Sequence, residues 1–181
     1  MALLTLIQQQ EIKIISGNWP NASKVTGGKT NYEQLAEEVE EKELRTLLGV
    51  ALLQDVQDNP TEARNVTLLD GGTFEDCDNN TVKFKGLRYI LAYFNYSKYV
   101  GESFVSDSFT GMVKKTRTEA TPLTSGDIKR LQLDAREIAL QEWELVKCFL
   151  DENESDYPLW ECTTKRKTFT PRFTGVKRTI L

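Results

Sequence analysis

Apolar residues recur at helical spacing twice in the second half of this chain. Between Phe84 and Val100, Leu87, Ile90, Leu91 and Phe94 fall at i, i+3, i+4 and i+7 and share one face. Tyr89, Tyr93, Tyr96 and Val100 make a second stripe at similar spacing. The pattern predicts a helix from about Val82 to Phe104. A helix apolar on two faces is either central to its own core or pressed against a neighbouring subunit. Tyrosine, with an apolar ring and a polar tip, suits the core and a partly wet interface alike. We read Tyr89, Tyr93 and Tyr96 as core in the first place and interface in the second, with Tyr89 or Tyr96 the tyrosine best suited to an interface. The second helical run starts after Pro122-Leu-Thr-Ser-Gly-Asp127, with Ser125 or Asp127 as its cap. Ile128, Leu131, Ala135, Ile138 and Ala139 begin its face; Trp143, Val146, Phe149 and Leu150 continue it. Asp151-Glu-Asn-Glu-Ser-Asp156 closes the run, and Tyr157-Pro-Leu-Trp160 folds back as an aromatic plug on the bundle end.

The first half is less regular. Leu3, Leu6, Ile7 and Gln10 could share a helical face, while Ile12, Ile14 and Ile15 read as a short strand, so residues 1–30 are an extended or mixed segment. Residues 16–31 are dense in turn formers. A helix starts near Asn31, its expected N-cap, and Leu35, Val39, Leu47, Leu48, Ala51, Leu52 and Val56 carry the apolar pattern to Asp58. The pattern slips at Glu41–Leu44 and meets Gly49, so one long helix and two shorter ones fit equally. Asn59-Pro60 ends it. Residues 59–82 read as loop, with a possible short strand at Asn65–Leu69. Alternation around Met112 and Val113, beside Gly111, predicts a hairpin or an extended loop. The fold class is therefore mainly α: a small helical bundle with a short β-hairpin or extended loop and an extended C-terminal arm.

Chemistry narrows the picture by subtraction. The chain has 181 residues and no histidine, which removes Ser-His-Asp and Cys-His pairs and every histidine-ligated metal. Gly71-Gly72 opens no phosphate-binding loop. The acidic stretch Asp70–Asp78 lacks calcium-loop spacing and reads as a solvated turn. We expect no enzyme, no cofactor and no metal. Cys77, Cys148 and Cys162, an odd and widely spaced set, read as reduced thiols of a cytosolic setting. No apolar run approaches the ~20 residues of a membrane span, and the first residues carry no secretory pattern.

Charge changes the reading at one place. The net charge is −4, but residues 163–181 hold six basic residues and no acidic one, leaving −10 on residues 1–162. We read 1–162 as the body and 163–181 as a basic arm. Its cations are Lys165, Arg166, Lys167, Arg172, Lys177 and Arg178. Phe169 and Phe173 lie among them, too apolar for a purely electrostatic tail. Such an arm orders when it docks on something acidic, either nucleic acid or a neighbouring subunit, and the phenylalanines favour protein.

Three blocks in order, Lys85-Gly-Leu-Arg-Tyr-Ile-Leu-Ala-Tyr-Phe94, Phe109-Thr-Gly-Met-Val-Lys-Lys115 and Tyr157-Pro-Leu-Trp160, resemble the head-to-tail connector (adaptor or ring) proteins of tailed bacteriophages, particularly the crAss-like group. Leu47-Leu-Gly49 within a helix fits as well. Residues 1–30 and 163–181 carry no part of the resemblance. It implies a mostly α-helical virion subunit at the head–tail junction, assembled in the host cytoplasm. Twelve copies would form a ring beneath the portal protein, extend the DNA channel and present a docking surface to neck and tail proteins. Lys114, Lys115 and Arg117 are then candidates to line the channel and touch packaged DNA weakly, without sequence preference. The alternative is a non-enzymatic nucleic-acid-binding protein using the basic loop and tail, although a body at −10 would repel DNA over most of its surface.

Overall fold

The structure is a computed structural model and describes residues 3–15, 20, 29–76, 78–103, 105–108, 111–114 and 124–160. Thr5 opens the first helix, α1 (Leu6–Ile12), by a capping box in which its hydroxyl accepts from the Gln8 amide and the Gln8 side chain accepts from its own. The segment read as a strand is thus the helix end and its exit. Ile15 is buried, whereas Ile7 and Ile14 face solvent. Gln9 is buried instead: its amide donates to the Lys13 and Ala92 carbonyls, and its oxygen accepts from Asn95.

The second helix, α2 (Asn31–Val39), is capped by Thr30, one residue before the expected Asn31, because Thr30 and Glu33 complete the reciprocal box. The slip at Glu41–Leu44 is a π-helical turn, Glu40–Leu44. Its extra residue per turn rephases the chain, so that Leu44 and then Leu48 of α3 (Arg45–Leu48) stay in the core. Gly49, at φ 82°, breaks the run before α4 (Val50–Asp58). The predicted loop at 59–82 is instead α5 (Ala63–Asp70) followed by the antiparallel pair β1 (Gly72–Glu75) and β2 (Thr81–Phe84). The expected strand at Asn65–Leu69 lies inside α5. Asn65, Leu68 and Leu69, at i, i+3 and i+4, bury together, and this packing overrides the strand preference of Val66 and Thr67.

The aromatic helix is α6 (Gly86–Ser103), shorter at its start than expected because β2 claims Val82–Phe84. It leads to the hairpin β3 (Val105–Ser108) and β4 (Gly111–Lys114), and then to α7 (Ser125–Glu152). Thr124 caps α7, and Asp127 is the reciprocal partner of that cap. The two long helices run antiparallel. Ser97 Oγ donates to the Gln132 carbonyl at 2.9 Å near one end, and Glu142 accepts from the Lys85 amide near the other.

Of the two alternatives for a helix apolar on two faces, the first holds. α6 packs against α7, α5, α2 and α1, and one core joins residues from Leu3 to Trp160. Phe84 stacks on Phe149 with centroids 4.5 Å apart, and Phe74 meets both edge-on. Tyr157 and Trp160 are buried at the C-terminal end of α7. The Tyr157 hydroxyl donates to the Arg64 carbonyl at 2.6 Å, and the Trp160 indole N–H donates to Asp151 at 2.8 Å. Burial pushes the Tyr157 phenol up to about 12.

Candidate functional site

Apolar side chains stay uncovered at several places on the described body, Val50, Val66 and Leu159 among them, and two of these places lie on different sides of α6. Asn95 and Tyr96 point toward the α1 side: Asn95 bonds Gln9, and the Lys13 ammonium sits 4.4 Å over the Tyr96 ring. Ser97 and Phe94 point toward α7, bonding Gln132 and lying under the Arg136 guanidinium at 5.2 Å. At 100° per residue these two directions are roughly opposite round the helix. On the α1 side, Ile7 and Ile14 are 74% and 67% exposed. On the other side, α7 exposes Leu131 and Ile138 along one flank, Leu133 and Leu140 along the other. Residues two apart on a helix lie about 160° apart, and residues seven apart nearly superpose, so these are two separate apolar edges on either side of the polar crest.

The three tyrosines singled out from the sequence sit between core and solvent. Tyr89, Tyr93 and Tyr96 are all half-buried, and Lys85 and Lys13 cover them by cation–π contacts, with Lys85 4.1 Å above Tyr89. The Tyr89 and Tyr93 rings are 4.8 Å apart. Burial raises the Tyr89 phenol, but the hydrogen bonds from Tyr93 and Lys85 and the ammonium charge outweigh it and hold the group below its ordinary value. Tyr93 donates that bond and is pushed up to about 12, by the bond first and burial second. Beside Tyr89, an open cleft of about 430 Å³ runs between α1 and β2. Its Arg88 is committed to Asp70 and to the Leu3 carbonyl.

Of the channel candidates, Lys114 is the last residue of β4, and Lys115 and Arg117 lie outside the described residues. The arm residues Lys165, Arg166, Lys167, Phe169, Arg172, Phe173, Lys177 and Arg178 lie outside them too. The acidic stretch expected as one solvated turn instead starts at the end of α5, passes through β1 and reaches the β1–β2 turn. Asp76 accepts from the amides of Asp78 and Asn80, which holds its carboxyl below the usual range. Among the described residues no three acidic or cysteine side chains cluster to hold a metal, and no helix is long and apolar enough to cross a membrane.

Leu133 and Leu140 fall outside the face that the periodicity of α7 picks out. Their signal was available: a leucine pair seven residues apart on the side of α7 away from Ala139 and Val146. It was masked by the glutamates on the same side. Of the expected face Leu3, Leu6, Ile7 and Gln10, Leu3 is buried and Leu6 packs on the core, but Ile7 faces solvent and Gln9 takes a buried position.

No curated protein and no solved structure matches the chain. A match to a described family covers residues 44–170, from the end of the π-helical turn past the aromatic plug, and on that ground the chain belongs to DUF6712, a family of unknown function.

Proposed function

We propose that this protein is a structural virion component: a connector subunit at the head–tail junction of a tailed phage that assembles into a homo-oligomeric ring, joins the portal to the tail and extends the DNA channel. It acts by shape and assembly, without catalysis. A closed ring needs a heterologous contact, in which each copy offers two different surfaces to its two neighbours. The observation that carries the reading is the pair of dissimilar apolar faces on opposite sides of α6, Ile7 and Ile14 on one and Leu131 and Ile138 on the other. Uncovered apolar side chains on two elements give each copy the kind of surface such a contact would use. The resemblance of the aromatic helix, the Thr-Gly-Met-Val turn and the Tyr-Pro-Leu-Trp stop to phage connectors supplies the setting. In it, Lys114, Lys115 and Arg117 brush the passing duplex weakly, so that DNA slides.

Native mass spectrometry of the full-length chain, alone and with a portal, tests the proposal together with electron microscopy of virions. A closed ring of identical copies is expected. A strictly monomeric protein absent from virions overturns the reading, and so does tight, steeply salt-dependent binding to non-specific duplex, which would favour a nucleic-acid-binding role.

A further inference from the structure

The second apolar flank of α7 carries a groove that the described body leaves open. Leu133 and Leu140, 55% and 39% exposed, give it an apolar floor. Arg136, Glu137, Gln141 and Glu144 complete an open cavity of about 450 Å³. Arg136 is already engaged: its guanidinium forks onto Glu43 at 2.7 and 2.8 Å and lies over Phe94. Glu137 accepts from Gln141 at 3.3 Å, and neither Glu137 nor Glu144 has a basic partner among the described residues. A greasy floor edged by two unneutralised carboxylates suits a ligand both apolar and cationic.

We infer that this groove is the seat of the chain's own C-terminal arm, residues 163–181. The arm starts in the right place. Trp160 packs on Trp143, and its indole N–H holds Asp151, and Asp151 stands on the same flank, seven residues beyond Glu144 and fourteen beyond Glu137. At ~1.5 Å rise per residue, Glu144, Glu137 and Leu133 lie about 10, 21 and 27 Å back along α7 from Asp151. An extended chain gains ~3.3 Å per residue, so from Trp160 it reaches Lys165 at about 17 Å, Lys167 at about 23 Å and Phe169 at about 30 Å. The basic run therefore draws level with Glu137, Glu144 lies about 6 Å short of Lys165 and within reach of its long side chain, and Phe169 comes within about 3 Å of the level of Leu133. Charge agrees, since the arm at +6 meets a body at −10. The sequence left the acidic acceptor open between nucleic acid and a neighbouring subunit; α7 supplies one within reach of the arm's own anchor. The inference holds whether or not the chain closes into a ring.

Zero-length carbodiimide cross-linking of the full-length protein tests it, on an equal mixture of unlabelled and 15N-labelled chains equilibrated beforehand. Cross-links from Lys165 or Lys167 to Glu137 or Glu144 are expected, each joining two peptides of the same isotope. In the full-length variant Glu137→Lys/Glu144→Lys, changed only at exposed positions, tryptic cleavage at Lys165–Lys167 should accelerate about tenfold at low salt as the docked arm is released. Absence of those cross-links, or unchanged cleavage, overturns the inference. Mixed-isotope cross-links overturn it in favour of a second copy, and an arm protected only when duplex DNA is added overturns it in favour of nucleic acid.

Discussion

Glu40 is a charged residue that the fold has taken in. It is 3% exposed, within the π-helical turn, and its carboxylate accepts the Leu3 amide at 2.7 Å. This bond pins the N-terminal Leu3 and Leu4 into the core. Burial raises its pKa, and the hydrogen bonds from the Leu3 amide and the Gln57 side chain only partly offset that. The folded state therefore holds a proton that the unfolded chain releases near the ordinary carboxylate value of about 4.3. Stability from this group is full below that pH and is lost as pH rises through the raised folded value. Glu40→Gln keeps an oxygen for Leu3 and removes the titration. The difference in Tm, variant minus parent, should then grow as pH rises above about 4; parallel curves would refute the argument. Glu40→Ala leaves the Leu3 amide without its acceptor and should cost about 1–3 kcal/mol in urea unfolding. None of this was legible in the sequence. A glutamate in a run of Glu-Glu-Lys-Glu reads as solvent-facing, and only the tertiary position of Leu3 makes Glu40 an acceptor. Gln9 was hidden the same way.

At the scale of elements, the long periodic runs were readable because packing and period agreed. Both long helices form where the spacing put them, except that β2 takes Val82–Phe84 from the expected start of α6, and the slip at Glu41–Leu44 is a true signal of the π-helical turn. The short elements were not readable. The segment from Ala63 to Phe84 folds as helix and hairpin because its junctions close on each other, which local propensity does not report. Gly71 and Gly86 make that junction. They adopt φ 88° and 79°, and a Cβ on Gly86 would stand 2.4 Å from the Gly71 nitrogen, one on Gly71 2.5 Å from the Phe84 carbonyl oxygen. Backbone meets backbone there, so nothing can yield cheaply. Gly71→Ala and Gly86→Ala should each destabilise by more than about 2 kcal/mol, from left-handed strain plus the clash. Because both damage one junction, the double variant should lose less than the two single losses added together. Denaturant titration of the three variants decides it; an additive or mild result would mean that the junction is not shared.

At the scale of the whole molecule, the aromatic helix posed a choice between core and interface, and the fold answers it by placing α6 at the centre with apolar residues left over on the elements outside it. The sequence could not show this, because exposure of Ile7 or Leu131 depends on how α1 and α7 each pack against α6. If those leftovers are the two halves of one heterologous contact, their logic can be tested without knowing the particle. Ile7→Glu/Ile14→Glu removes one half, and Leu131→Glu/Ile138→Glu removes the other. All four positions are exposed, so the fold should survive, as circular dichroism would verify. Each contact needs one intact half from each copy, so either variant alone should stay monomeric. Mixed together, the α7 face of the first meets the α1 face of the second, and growth stops there, because both remaining faces are spoiled. Sedimentation should then show monomer for each variant and dimer for the mixture. A face that pairs with its own kind would instead leave one variant dimeric by itself, and the two-sided geometry required of a ring would be lost.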